Sequence, residues 1–374
     1  MITLREVTDE DIIPLAEFLP TGLPFKNTTQ ETWLRRFEIW WSANPAYTDL
    51  FPKGWILENG PSIVGFIGNL PVKFVYCRKI TTAVAAVSWY VDPSVRGLSS
   101  LRLFNAFQKQ KQASLFLFNS DNPDLQKIVT KNKFKDFIVP RFQTKYFYVV
   151  NRTKLDYIVR KFLFCGELPR LHEIAAFIKK FGLLTCAYIY QKPVGRMSAS
   201  PDTDYTTSLC TSCDDSFSNL WEPYLHACDV TLSRDTKTLN WIYFSSVHPN
   251  KRVVIQCRRS RDNSLAGYMV FDILRKNTSD VATMHLMDMC LEKHDPRVMA
   301  SLLAFAIETG KQHNAALLAV WADSQETDLF FRRNFTLRMN AQQHNFIRFS
   351  DIRDENLSVC PSMIAPPRGI DHWM

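Results

Sequence analysis

The fold is decided by SWYVDPSVRGLSSLRLF (residues 88–104) and SLFLFNSDNPDLQKIVTKNKF (residues 114–134). The first stretch predicts a strand that ends at Val91, a loop containing Arg96 and Gly97, and then a helix. The second predicts another strand followed by a helix. Strands and helices that alternate in this order predict a mixed α/β structure. The loop before the first helix would present backbone N–H groups and the positive end of the helix dipole to an anion.

The same order of elements occurs twice along the chain, which indicates a tandem repeat. A run of predicted strands precedes each strand–helix–strand–helix segment: GWILE, SIVGFIGNLPVKFVY and TTAVAAVSWYV in the first half, and RVVIQCRRS, LAGYMVFDIL and TMHLMDMCLEK in the second. The sequence therefore predicts a first domain over residues 1–150 and a second over residues 205–350. We expect residues 151–204 to form a basic helical connector with a linker, and residues 351–374 to form a tail.

Charge is concentrated in one part of the chain. The net charge is +8 over 374 residues, and residues 141–200 contain eleven Lys or Arg against three acidic residues. Within this part, LPRLHEIAAFIKKFGLL (residues 168–184) can form a helix with one apolar side. This basic helix has three alternative interpretations. It forms the solvated face of a bridging helix, it binds an anionic small ligand, or it belongs to a contact between residues 151–196 and a membrane surface or RNA.

Composition excludes several protein classes. A hydrophobic content of 46% excludes wholesale disorder, and nine scattered cysteines argue against a complete disulfide framework. No apolar run approaches the roughly 18 residues of a membrane span, and the acidic start MITLREVTDEDIIP is unlike a secretory signal. We therefore expect a cytoplasmic protein. Walker, dinucleotide-binding and G-x-S-x-G motifs are absent from the sequence.

The deciding stretch resembles the GNAT superfamily, the Gcn5-related N-acetyltransferases. The resemblance rests on the strand ending in Val-Asp-Pro, on Arg96-Gly97, and on the spacing from Asn122 to Phe134. WWSANPA, GYMVFDI and WADSQETDLFFRRNF further resemble tandem-GNAT bacterial proteins linked to cell-surface polysaccharide assembly. The resemblance covers about residues 1–150 and 205–350. It implies an α/β (α+β mixed) fold class, with two tandem GNAT-like domains that each contain a central mixed sheet flanked by helices.

The resemblance implies acetyl-CoA, or another acyl-CoA, as co-substrate and no metal. The matching positions form the strand beside the pantetheine and the loop around the pyrophosphate: Val87, Trp89, Val91, Arg96, Gly97, Leu98, Ser99, Ser100 and Asn122. Ser99 and Leu101 stand where the family has glycine and a small residue. The alternative interpretation is a degenerate structural turn without a ligand.

Catalytic residues are implied less directly. The family's proton-donating tyrosine aligns with Val129 in the first half and Phe330 in the second, so that role falls to Tyr90, to water or to another residue. Asp92 and Asp288 are the candidate general bases. Each has an alternative: Asp92 as a turn former before a proline, and Asp288 as a buried, hydrogen-bonded strand residue.

The second half of the chain contains two further patterns that bear on function. HDPRVMASLL (residues 294–303) occupies the position of the phosphate loop in the second half and contains no glycine, so we expect acyl-CoA only in the first domain. Cys210 and Cys213 form a C-x-x-C pair. Without two more ligands at a recognised spacing, a zinc site is a weaker interpretation than two free thiols.

The leading functional hypothesis is an acyl-CoA-dependent N-acyltransferase that acts on a small-molecule amine, as in an amino sugar or a cell-envelope precursor. A second hypothesis is a FemABX-like aminoacyl transferase, although no heptad run for its coiled-coil arm is visible, and nucleic acid is not the expected partner. A third is a non-catalytic GNAT-derived binding module.

Overall fold

The computed structural model describes residues 2–22, 29–119, 122–136, 144–154, 204–227, 230–245, 252–275, 281–322, 324–335, 337–340 and 345–349. Two predicted segments therefore lie largely or wholly outside the described residues, namely the basic connector and the tail. The chain divides into two compact units, which are described separately below. The first comprises residues 1–138, 222–249 and 343–374, and the second comprises residues 139–221 and 250–342.

The first unit is built on one mixed sheet with helices. Its strands are β1 (Ile2–Glu6), β2 (Gly54–Asn59), β3 (Ser62–Tyr76), β4 (Lys79–Val91), β5 (Leu115–Asn119), β6 (Lys135–Asp136), β9 (Val230–Leu232) and β15 (Asn345–Phe349). Its helices are α1 (Ile12–Gly22), α2 (Gln30–Phe37), α3 (Leu98–Lys109), α4 (Pro123–Lys131) and α6 (Thr236–Phe244). A π-helical turn (Glu38–Ser42) continues α2.

The second unit is built on a seven-stranded mixed sheet. Its strands are β7 (Thr144–Val149), β8 (Tyr205–Cys210), β10 (Arg252–Arg259), β11 (Leu265–Arg275), β12 (Ala282–Leu291), β13 (Ala315–Trp321) and β14 (Leu337–Asn340). Its helices are α7 (Pro296–Gln312) and α8 (Gln325–Asn334), while α5 (Asp215–Ala227) runs across the boundary between the units in sequence.

The two sheets follow one plan. The first has the order β1-β2-β3-β4-β5-β15-β6, with β9 paired to β3, and the second has the order β14-β7-β13-β12-β11-β10-β8. Each contains an antiparallel meander followed by one parallel pair, β4 with β5 in the first sheet and β12 with β13 in the second. This repeated plan confirms the predicted class of two mixed α/β modules.

The units are not contiguous in sequence, which differs from the predicted domain limits. The strand β7, placed by the sequence in the first domain, pairs with β13 and β14 of the second sheet. The strand β15, placed in the second domain, pairs with β5 and β6 of the first sheet. Backbone pairing depends on which sheet edge is open, so neighbours along the chain need not share a sheet.

Aromatic packing fixes α3 against the first sheet. The side chains of Leu103, Phe104 and Phe107 are fully buried, and Phe104 stacks on Trp89 of β4 with 5.1 Å between ring centroids. The register of α3 turns Leu101 toward a cleft, described below, so α3 serves both the core and the candidate site.

Helix starts in both units follow local capping rules. Thr29 accepts a hydrogen bond from the Thr32 N–H at the start of α2, and Asn122 accepts one from the Asp124 N–H at the start of α4. In the second unit, Asp295 caps α7 through the Arg297 N–H. In the described part of the chain, no helix has the length and apolar character that crossing a bilayer requires.

Candidate functional site

The site begins where the parallel strands of the first sheet separate. The β4 and β5 strands pair only over Ala83–Ala85 and Leu115–Leu117, whereas β4 continues to Val91. On its other edge β4 stays paired with β3 as far as Val91. Among the described residues, the end of β4 therefore pairs with β3 alone, and its second edge faces an opening instead of a ladder with β5.

A cleft of about 1070 Å³ lies at this opening. Its walls come from the end of β4, the loop and first turn of α3, the start of α4 and the end of α1. The lining residues are Gly22, Trp89, Tyr90, Val91, Arg96, Gly97, Leu98, Ser100, Leu101, Asn122, Asp124, Leu125 and Ile128. Most of the residues that the sequence singled out in the first half thus surround one cavity.

A β-bulge sets the direction of the side chains at the end of β4. Ser88 and Trp89 together stand opposite Ile67 of β3, because the register shifts between Phe66 and Gly68. Ser88 has a φ of 50°, which is uncommon for a residue other than glycine. Bulges of this kind re-aim side chains next to functional sites.

The loop after β4 is built from its own hydrogen bonds. Asp92 accepts bonds from the Ser94 N–H (2.9 Å) and hydroxyl (2.5 Å), which forms a short 3-10 turn. The Arg96 Nε–H donates to the Val91 carbonyl at 2.8 Å and fastens the loop to the end of the strand. Gly97 follows with φ 97° and ψ −119°, a conformation that glycine adopts without steric cost.

The start of α3 is open and uncapped. No side chain caps it at Gly97, and among the described hydrogen bonds of its first turn the Ser100 N–H bonds the Gly97 carbonyl at 3.1 Å. A Cβ added at Gly97 would meet no atom within 4 Å, and the side chain of Leu98 is 82% exposed. Of the two positions where the family has smaller residues, Ser99 is not among the lining residues, whereas Leu101 lines the cleft.

Tyr90 supplies the phenol hydroxyl among the described residues that line the cleft. Its ring packs on Phe18 of α1, with 5.4 Å between centroids, and lies 5.8 Å from the guanidinium carbon of Arg96. A Cβ on Gly22 would come within 2.0 Å of the Tyr90 hydroxyl oxygen. Gly22 therefore provides the space that the tyrosine ring occupies, and no sequence pattern indicated this contact.

The start of α4 forms the opposite wall. Asn122, predicted as a binding residue, lines the cleft and uses its side-chain oxygen to cap the Asp124 N–H at 2.9 Å. Leu125 and Ile128 line the cleft beyond it, whereas Val129 is completely buried in the core. The position aligned with the family's tyrosine thus points away from the cavity and can donate no proton.

The predicted general bases are not brought into the cleft. Asp92 is partly exposed and its carboxylate is engaged in the turn, and hydrogen bonds from Ser94 lower its pKa, which weakens it as a base. Asp288 belongs to the second unit, where it is buried and accepts a 3.1 Å hydrogen bond from the Tyr268 hydroxyl. Both positions match the structural alternatives that the sequence left open.

Val87 also lies apart from the cleft. It is buried, and a Cβ on Gly68 of β3 would come within 2.7 Å of its Cγ2 atom. Its contribution is to packing between β3 and β4 before the bulge. Asp124, by contrast, was not predicted as a site residue, although it lines the cleft and is its one carboxylate among the described lining residues.

The corresponding opening of the second sheet is filled. The β12 and β13 strands pair in parallel as far as His285 and Ala319, and beyond this point the Trp321 indole N–H donates to the Leu286 carbonyl at 2.6 Å. The ammonium of Lys145 lies 4.6 Å from the Trp321 ring. A side chain therefore occupies the strand edge that stays open in the first unit.

The helix start of the second unit is also occupied. Asp295 caps α7, and Tyr205 donates to it at 3.1 Å. Burial alone would raise the pKa of Asp295, but these bonds and Arg297 outweigh it and lower that pKa. A smaller cavity of about 580 Å³ beside it is lined by ion-paired residues, including Arg259 with Glu292. The expectation of acyl-CoA only in the first half stays a prediction.

Comparisons with known proteins identify the fold. No protein-family model matches the sequence, and no curated protein sequence matches it. Solved structures do match. A GCN5-related N-acetyltransferase from Anabaena variabilis has a TM-score of 0.57 at 8% identity, over 94% of this chain and 74% of that one.

Two further structures cover similar shares. N-myristoyltransferase from Saccharomyces cerevisiae with bound myristoyl-CoA has a TM-score of 0.55 at 10% identity, over 96% of this chain and 83% of that one. A tandem GNAT protein from the clavulanic acid pathway has a TM-score of 0.52 at 10% identity, over 95% and 100%. At such identities the likeness concerns the fold. The chain has a tandem GNAT fold, which confirms the fold prediction.

Proposed function

We propose that this protein is an acyl-CoA-dependent N-acyltransferase whose donor site is the cleft of the first unit. The observation that carries this proposal is the uncapped start of α3 at Gly97, which opens into the cleft beside the end of β4, beyond its pairing with β5. The tandem GNAT fold, shared with proteins that include acyltransferases, supports the same class.

The residues present fit an acyl-CoA. Unpaired N–H groups in a first helical turn, together with the helix dipole, suit a diphosphate. Gly97 leaves space for its close approach, and the exposed Arg96 adds positive charge. The edge of β4 beyond Ala85, where its pairing with β5 ends, suits an extended amide chain such as pantetheine, because a strand edge can bind such chains through backbone hydrogen bonds. Trp89, Val91, Leu98, Ser100 and Asn122 would line this path.

The chemistry follows from which groups face the cleft. The thioester supplies an activated acyl group, and the nitrogen of a neutral amine forms the new bond to its carbonyl carbon as the carbon–sulfur bond breaks. A backbone N–H between Trp89 and Val91 would stabilise the charge that develops on the carbonyl oxygen. The Tyr90 hydroxyl would donate a proton to the departing sulfur. The proton lost by the amine would pass to water or to the carboxylate of Asp124.

The acceptor is proposed on the resemblance alone. We propose a small-molecule amine, such as an amino sugar or another cell-envelope precursor. A panel of amino sugars, amino acids and polyamines, assayed for release of free CoA thiol, would test this choice. Turnover confined to polyamines or amino acids would contradict it.

Acetyl-CoA is expected to raise the melting temperature of the wild-type protein in a saturable manner, because a ligand that binds the folded state stabilises it. The Arg96→Glu variant should lose most of this shift, since the substitution reverses the charge beside the proposed diphosphate. Lys111→Glu makes the same charge change at an exposed position outside the cleft and should keep the shift. No shift at millimolar acetyl-CoA, or equal shifts in both variants, would contradict the proposed site.

A non-catalytic acyl-CoA-binding module is the second candidate. It is favoured by one observation: the single carboxylate lining the described cleft, Asp124, is exposed and paired with Lys127 at 3.1 Å. This candidate predicts acetyl-CoA binding without turnover of any amine in the panel. The two candidates therefore share the binding experiment and are separated by the turnover assay.

A further inference from the structure

The second unit contains a dithiol that the proposed acyl transfer does not use. Cys210 is the last residue of β8, and Cys213 lies in the short loop before α5. Cys210 is partly exposed, whereas Cys213 is only 6% exposed. Their side chains are hydrogen-bonded to each other, and neither cysteine forms a disulfide. An accessible sulfur thus lies in direct contact with a buried one.

The surroundings shift the pKa values of the two thiols in opposite directions. The hydrogen bond from Cys213 is the main cause that lowers the pKa of Cys210 to about 7, and the nearby Arg258 acts in the same direction. The same hydrogen bond, with burial, raises the pKa of Cys213. A hydrogen bond with the Ser212 backbone also lowers the pKa of Cys210, whereas burial and the nearby Asp214 carboxylate act against the shift. In its protonated form Cys210 donates to the Ser212 carbonyl at 2.8 Å. Near neutral pH, Cys210 is therefore the nucleophilic member of the pair.

The loop that carries the pair is firmly held. Asp214, directly after Cys213, accepts a hydrogen bond from the Ser216 N–H at 3.0 Å at the start of α5. Arg258 of β10 donates to the same carboxylate at 2.7 Å. This ion pair fixes the loop to the sheet.

We propose that Cys210 and Cys213 form a reversible disulfide by exchange with an external disulfide of the glutathione or thioredoxin class. The Cys210 thiolate attacks one sulfur of that disulfide and releases the first thiolate. Cys213 then gives up its proton, attacks the Cys210 sulfur of the mixed disulfide and expels the second thiolate. Two protein thiols are oxidised and one external disulfide is reduced to two thiols, so electrons and protons balance. This inference is independent of the proposed acyl transfer.

Titration of the whole protein with glutathione disulfide tests the proposal. After the remaining thiols are blocked, peptide mapping should reveal a Cys210–Cys213 crosslink that dithiothreitol reverses. Cys77, which is exposed and whose thiol has no described cysteine partner, is the internal control and should carry only a mixed disulfide with glutathione. A Cys210 that reacts no faster than Cys77 and forms no crosslink would overturn the proposal, as would zinc retained at the two sulfurs that blocks oxidation.

Two variants separate the roles of the two sulfurs. Cys213→Ser should trap glutathione on Cys210 as a stable mixed disulfide, because the resolving thiol is missing. Cys210→Ser should leave Cys213 unmodified, because Cys213 is buried. The rate of Cys210 alkylation in the wild-type protein, measured from pH 5 to 9, should rise through a midpoint near 7. Because this measurement needs no variant, it keeps the test valid if a variant fails to fold. A midpoint equal to that of Cys77 would contradict the assigned roles.

Discussion

Replacing Tyr90 with phenylalanine is expected to lower kcat for acyl transfer by about 10²–10⁴-fold, the usual contribution of a positioned general acid. The ring would keep its packing on Phe18 and its place beside Gly22, so the fold and the KM for acetyl-CoA should change little. Only the hydroxyl is lost, and no other phenol lines the described cleft. Steady-state release of CoA thiol, with a fixed amine and varied acetyl-CoA, measures the effect.

The Tyr47→Phe variant is the matched control for this substitution. Tyr47 belongs to the same unit, packs against its core and does not line the cleft. Its loss of a hydroxyl should leave kcat unchanged. A Tyr90→Phe enzyme with a kcat within threefold of wild type would show that water or another group protonates the leaving sulfur.

Replacing Gly97 with alanine is expected to weaken acetyl-CoA binding by at least about tenfold, which corresponds to about 1.4 kcal/mol. The space at Gly97 is open, so the added methyl group meets no neighbour. The cost arises from the backbone, because φ 97° with ψ −119° is unfavourable for a residue with a Cβ. The loop would relax, and the N–H groups at the start of α3 would turn away. Calorimetric titration with acetyl-CoA gives the change in affinity.

The Gly60→Ala variant controls for backbone strain as such. Gly60 has φ 61°, lies in the turn between β2 and β3, and also has open space around it. Both substitutions should lower the free energy of unfolding by about 1 kcal/mol, but Gly60→Ala should leave acetyl-CoA affinity unchanged. Equal affinities in the two variants would show that the conformation of Gly97 does not shape the site.

Much of the first unit could be predicted because its signals are local. The alternation of strands and helices, the Arg96-Gly97 loop and the cap at Asn122 depend on neighbouring residues, and the structure brings these residues to one cleft. The Asn59-Gly60 dipeptide between β2 and β3 is likewise a local hairpin signal.

The missed features depend on distant parts of the chain. The exchange of β7 and β15 between the sheets leaves no periodic signal, because either strand would show the same pattern in either sheet. Tyr90, near the end of β4, contacts Gly22, at the end of α1. These two segments are far apart in the sequence, and the composition of neither one signals the contact. The bulge at Ser88 adds one residue to β4, and a register shift of this kind changes which side chains share a face.

Hydrogen exchange of the full chain with and without saturating acetyl-CoA tests the central claim most directly. We expect the ligand to slow exchange in peptides that cover residues 89–101 and 122–128, and to leave residues 286–298 of the second unit unchanged. Protection confined to residues 286–298, or no protection at residues 97–101 under saturation, would contradict an acyl-CoA site at the start of α3.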